Sequence, residues 1–256
     1  MLLVIDIGNT NITLGVFEGE ELKITARIST DHHKTGDQYA FELLNVLNLH
    51  SVNVQDIEGC IVSSVVPALA HAFKKACRLV CKCEPLFVGP GVKTGLNIKI
   101  DNPAQLGADL AVGAVAAIEK YKMPCVILDM GTATTISVLD KNANFLGGTI
   151  CAGIGISLEA LSSKTSQLPL IAIETPKSAI GKNTVESMQA GLILGSAAMI
   201  DGLIDRIEDE LSQNCTVVAT GGLARKVIEN CRREITYDKD LLLNGLRIIY
   251  EKNKKY

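Results

Sequence analysis

Two carboxylates, Asp6 and Asp129, each close a short apolar run and are each followed by a residue and a glycine. The runs are Asp6-Ile7-Gly8-Asn9-Thr10 and Asp129-Met130-Gly131-Thr132-Ala133, 123 positions apart. A glycine at a strand-to-strand turn lets the backbone approach a ligand where a Cβ would block it. The turn's N–H groups then converge and form an anion-binding concavity. Asn9, Thr10 and Thr13 add side-chain donors to the first turn. Asp6 repels phosphate, but it can hold a hydrated Mg²⁺ that bridges phosphate oxygens. Asp129 can hold a cation at the second turn, Gly131-Thr132. One Asp-x-Gly turn alone is a common hairpin. Two in matching settings make a far more specific signal.

Two other sites carry possible chemistry. Thr220-Gly221-Gly222 follows a β-rich run and could lie against a nucleoside, though a plain strand-to-helix turn reads equally well. Asp109 sits where a loop enters a helical pattern. Its spacing suits a helix-start carboxylate favoured by the dipole, or a base that takes a proton from a hydroxyl.

The cysteines suggest less. Cys77, Cys81 and Cys83, with His71 nearby, have the density of a metal cluster, but a zinc site usually draws on two separated pairs. No second pair follows, so all eight cysteines read as small apolar residues of a reducing compartment. His32 and His33 read as solvated loop residues, Glu208-Asp209-Glu210 as a solvated helix face, and residues 252–255 as a frayed tail.

The elements around these residues repeat. Residues 2–6, 12–17 and 22–28 read as strands of an antiparallel meander, and 125–129, 134–139 and 145–150 restart it. Helical spacing covers 37–49, 68–80, 106–121 and 184–212, with further strands at 60–66, 86–88 and 215–219. The stretch 90–103 is rich in turn signals and reads as the crossing between halves. A division into 1–108 and 109–256 follows, each half an α/β unit. The halves resemble the duplicated actin, hexokinase and Hsp70 (ribonuclease H-like) ATPase architecture.

Composition narrows the class. The chain has 256 residues, 47% hydrophobic and 21% charged, with a net charge of −3. No basic stripe tracks a nucleic-acid backbone. Residues 1–6 lack the basic start of a signal peptide. Apolar stretches meet Gly, Asp or Lys before they could span a bilayer. We expect a cytoplasmic protein.

The ordered set Asp6-Ile7-Gly8-Asn9-Thr10-Asn11, Gly107-Ala108-Asp109, Asp129-Met130-Gly131-Thr132-Ala133-Thr134-Thr135, Gly147-Gly148 and Gly181-Lys182-Asn183-Thr184 resembles the type III pantothenate kinases over essentially the whole chain. Thr35-Gly36-Asp37-Gln38-Tyr39 and Leu168-Pro169 add to it. The resemblance implies transfer of the γ-phosphate of ATP to the 4′-hydroxyl of pantothenate, the first step towards coenzyme A. It implies a homodimer, Mg²⁺, and a monovalent cation such as K⁺ or NH₄⁺. By the same resemblance Asp109 is the general base. Asp6, Ile7, Gly8, Asn9, Thr10, Asn11, Ile12, Thr13 and Thr132 bind ATP, and Asp129 binds the monovalent cation. Gly107, Ala108, Asp109, Leu110 and Thr184 bind pantothenate. The pattern departs at Leu110, where most members have Arg, at Ile100, where many have Tyr, and at Ala152, where many have Pro. The first two remove polar groups from the acceptor side, and Lys93 and Lys99 are candidates to replace the charge. Residues 184–211, with Gly191 and Gly195 four apart, suit a helix at a two-fold interface.

Overall fold

A computed structural model describes residues 1–254. The chain forms two compact units. The first holds Met1–Leu96, Asn102–Ala116 and the chain from Leu241 on; the second holds Asn97–Asp101 and Ala117–Asp240.

In the first unit, β1 (Leu2–Ile7), β2 (Asn11–Glu18) and β3 (Glu21–Ser29) form the expected meander. Helix α1 (Gly36–Leu49) follows, then β4 (Gly59–Ser64), α2 (Ala70–Cys81) and β5 (Leu86–Phe87), giving the sheet order β3-β2-β1-β4-β5. The 35–39 segment is a helix start. Thr35 and Gln38 form a reciprocal cap on α1, and the Tyr39 hydroxyl donates to Asp31 O at 2.7 Å. One sheet face carries Leu3, Ile5, Ile7 and Val62 against Tyr39, Leu43 and Phe73 of the two helices.

Strand β6 (Asn97–Ile98) leaves the turn-rich stretch and pairs at the edge of the second sheet. Helix α3 (Ala108–Lys120) then spans the division at Ala116. In the second unit, β7 (Cys125–Met130), β8 (Ala133–Leu139) and β9 (Asn144–Ala152) repeat the meander. Helix α4 (Ile154–Lys164), the long α5 (Thr184–Leu211), β10 (Thr216–Thr220), α6 (Ala224–Ile228) and β11 (Thr236–Tyr237) complete it, in the order β11-β10-β7-β8-β9-β6. Helix α7 (Leu241–Asn253) returns to the first unit.

The duplication extends to detail. Strand β4 runs parallel to β1, as β10 does to β7. The register against the third strand shifts between Val16 and Phe17 in one unit and between Val138 and Leu139 in the other. These are equivalent places, because Leu3 pairs with Val16 as Val126 pairs with Val138.

The division differs from a single cut after residue 108. The reason is apolar packing: Leu243, Leu246 and Ile249 of α7, with Val112 and Val115 of α3, cover Leu2, Val4, Phe17 and Ile61 on the second face of the first sheet. Helix α7 is therefore a core element through Ile249, and two residues of the expected frayed tail beyond it are tied down. Lys252 donates to Thr94 O at 3.2 Å and Asn253 to Lys93 O at 2.9 Å, while Lys255 lies outside the described residues. Glu208 is likewise an anchor, accepting from Cys215 N at 2.8 Å and from Arg233 at 3.1 Å. Helix α5 is long and apolar enough to cross a bilayer, contrary to the reading of its composition, but it buries Leu192, Ile193, Ala197, Ile200 and Ile204 in the second core. Cys60, Cys77 and Cys81 are buried in the first core, with 3.6 Å between the sulfurs of Cys60 and Cys77.

Candidate active site

The first turn joins β1 to β2. Asp6 pairs with Thr13 and Ile7 with Ile12, which leaves Gly8, Asn9, Thr10 and Asn11 at the tip. Gly8 N–H donates to Asn11 O at 3.0 Å and closes the turn. Asn9, Thr10 and Asn11 are exposed, whereas Asp6 and Thr13 are half-buried and Ile7 and Ile12 are buried. A residue that carries no signal in the sequence holds this turn. Thr30 donates its hydroxyl to Gly8 O at 2.7 Å and its amide to Thr10 O at 3.0 Å. With those carbonyls engaged, the turn's amides are fixed in direction. No local motif signals Thr30, which reaches the turn by the pairing of β3 with β2.

The second turn is one residue shorter. Met130 pairs with Thr134, leaving Gly131, Thr132 and Ala133 at the tip, and Gly131 N–H donates to Ala133 O at 3.0 Å. Asp129 is half-buried and Thr132 exposed. Two other segments of this unit close on the turn. A Cβ on Gly153, the residue before α4, would come within 2.3 Å of Thr132 O, and one on Gly221 within 2.5 Å of Met130 O. The start of α4 and the Thr220-Gly221-Gly222 turn thus both pack against the second turn. Gly153 and Gly221 are glycines there because the chains touch at backbone distance. Helix α4 itself was not legible in the sequence. It has no side-chain cap and carries Gly155 in its first turn, so it lacks a start signal.

Asp109 lies in the first turn of α3, in the same unit as Asp6. Its Oδ1 accepts from the Leu110 amide at 2.8 Å. Burial raises the proton affinity of this carboxylate above the ordinary aspartate range, against the pull of the Leu110 and Asp109 amides. A Cβ on Gly107 would fall 2.5 Å from that same Oδ1, so Gly107 makes the room the carboxylate occupies. Ala108 and Leu110 flank it, both half-buried.

The remaining assigned residues lie elsewhere. Thr184 is exposed at the start of α5, which Asn183 caps by accepting from Glu186 N at 3.0 Å. Thr184 borders a groove of about 940 Å³ between α4 and α5, lined by Leu161, Leu168, Met188 and Leu192. Ile100 packs over Gly147, 3.6 Å from where its Cβ would stand. Lys93 and Lys99 are exposed. The structure therefore brings Asp6–Thr13 and Gly107–Leu110 into one unit, and Asp129, Thr132 and Thr184 into the other.

Residues 2–206 match the profile of the type III pantothenate kinases. The chain belongs to that family. Solved structures share its fold at low identity. A Campylobacter jejuni protein described as a Baf family transcriptional activator is 20% identical over 98% of both chains, with a TM-score of 0.63. The ethanolamine utilization protein EutJ of Carboxydothermus hydrogenoformans is 15% identical over 96% of this chain and 88% of its own, with a TM-score of 0.55. A hexokinase of the ROK group from Thermus thermophilus is 14% identical over 98% of both, with a TM-score of 0.53. The fold is the duplicated actin/hexokinase-like one. Membership in the pantothenate kinase family makes the chain an ATP-using kinase.

Proposed function

We propose that the chain phosphorylates pantothenate at its 4′-hydroxyl with ATP, as the first step of coenzyme A synthesis in the cytoplasm. The observation that carries this reading is Asp109 within its family motif: a carboxylate of raised proton affinity, seated at a helix start, with space made for it by Gly107.

In this reading the 4′-oxygen attacks the γ-phosphorus. The bond from that phosphorus to the β,γ-bridging oxygen breaks and ADP leaves with the electron pair. The hydroxyl proton passes to Asp109. Gly107, Ala108, Leu110 and Thr184 hold the acceptor. The turn from Asp6 to Thr13 and Thr132 hold the ATP phosphates, and the Gly221 turn lies against the nucleoside. Asp6 suits Mg²⁺ because a single carboxylate among hydroxyl groups leaves the ion most of its waters. When bound, Mg²⁺ would supply charge neutralisation on the phosphates. Asp129 holds the monovalent cation, K⁺ or NH₄⁺. The enzyme acts as a homodimer and uses neither nucleic acid nor membrane.

Leu110 and Ile100 favour a second reading, another small hydroxylated acid as acceptor, because neither offers an anion a partner. ADP release on addition of pantothenate with Mg²⁺ and K⁺ is the expected result. A screen of hydroxy acids and sugars in which a different acceptor wins would replace pantothenate.

A further inference from the structure

Asp6 has a hydroxyl neighbour on each side. In the sheet register it pairs with Thr13 of β2 and with Ser63 of β4. The three share one face. Ile5, Ile7 and Val62 face the α1–α2 core, whereas Leu2, Val4 and Ile61 face α3 and α7. Strand alternation puts Asp6 and Ser63 on that second face, at its polar end. Ser63 is fully buried, and its Oγ finds no hydrogen-bond partner among the described residues. A buried hydroxyl left unpaired is destabilising, and Ala or Val would fill a β-strand core position better.

The second unit repeats the arrangement with other residues. Asp129 pairs with Thr135 on one side and with buried Thr220 on the other. A hydroxyl beside each strand-end carboxylate thus recurs although the surrounding sequences have diverged.

We infer that Ser63 is a positioning residue for the divalent cation at Asp6: its buried hydroxyl hydrogen-bonds a water of the hydrated Mg²⁺ and orients the shell that Asp6 anchors. The oxygen chemistry fits. Mg²⁺ keeps several waters and binds through few carboxylates, so the groups that orient those waters help to set its affinity. The inference rests on the reading of the first turn as the MgATP-phosphate site.

The test compares wild type, Ser63→Ala, the near-isosteric Ser63→Cys and the hydroxyl-bearing Ser63→Thr. Thermal shifts are read with ATP plus EDTA and with ATP plus graded Mg²⁺, beside the Mg²⁺ dependence of turnover. Ser63→Ala and Ser63→Cys are expected to melt no lower than wild type without ligand. Their half-saturating Mg²⁺ should rise about tenfold, with the shift caused by metal-free ATP unchanged and Ser63→Thr restoring wild-type behaviour. Wild-type Mg²⁺ dependence in both Ala and Cys variants overturns the role of Ser63 and leaves the phosphate-site reading intact. A wild type whose melting responds to neither ATP nor MgATP overturns both.

Discussion

A carboxylate that receives a proton from an alcohol is a better base when its own proton affinity is raised, and burial does this for Asp109. The gain in basicity has a stability cost. In the unfolded chain Asp109 has the ordinary aspartate affinity, whereas the folded protein holds the proton more tightly. The resulting stabilisation is fully present below the unfolded pKa and is lost as pH rises through the folded one, so the ionised form is a liability at neutral pH. Asp109→Asn keeps the shape without the charge. It should lower kcat/KM about 100- to 10,000-fold while raising Tm at pH 7 to 8. The Tm advantage should shrink as pH falls through the carboxylate range. Thermal melts in a pH series, run beside steady-state kinetics, check both halves, and an Asn variant less stable than wild type at neutral pH contradicts the assignment. Gly107→Ala probes the same group from outside. Its methyl would meet Asp109 Oδ1, so kcat should fall while KM for ATP stays near wild type.

At the scale of elements, the first Asp-x-Gly turn owes its form to β3. Thr30→Val keeps the β-branched shape and removes the donor to Gly8 O. It should cost about 1 kcal/mol of stability and raise KM for ATP several-fold, read by chemical denaturation and initial rates. Asp238 has a comparable role for α3 and the approach to α7. It is buried and accepts from Lys120 at 2.6 Å and from Tyr121 at 2.8 Å. Asp238→Ala should destabilise by about 2 to 4 kcal/mol, and Asp238→Asn, which retains an acceptor, by less. These dependencies explain what the sequence could reveal. Both meanders were legible because alternation, a turn glycine and a strand-end Asp recur together. Thr30 and Ser63 were not, since each matters through pairing with a distant strand. The same holds for β6 and the return of α7, whose partners lie far away in sequence.

For the whole molecule the open question is the outer face of α5. Its inner face is spent on the second core. Along the other side run Gly191, Gly195, Ala198 and Gly202, at helical spacing, with Val185 and Leu161 exposed near the groove shared with α4. A Cβ on Gly191 meets nothing within 4 Å among the described residues. Two environments for this stripe give opposite outcomes on substitution. If water covers it, Gly191→Leu relieves a helix-interior glycine and adds up to about 1 kcal/mol of stability without changing mass. If a second copy covers it, small residues allow the helices to approach closely, and Leu holds them apart. We expect the second outcome. Light scattering should give wild type twice the 27.3 kDa chain mass and Gly191→Leu close to one chain. The variant should keep a native far-ultraviolet spectrum and a cooperative melt. The wild-type Tm should rise with protein concentration and that of the variant should not. A wild type of single-chain mass, stabilised by the leucine, would show that the stripe faces solvent and that the homodimer must be abandoned.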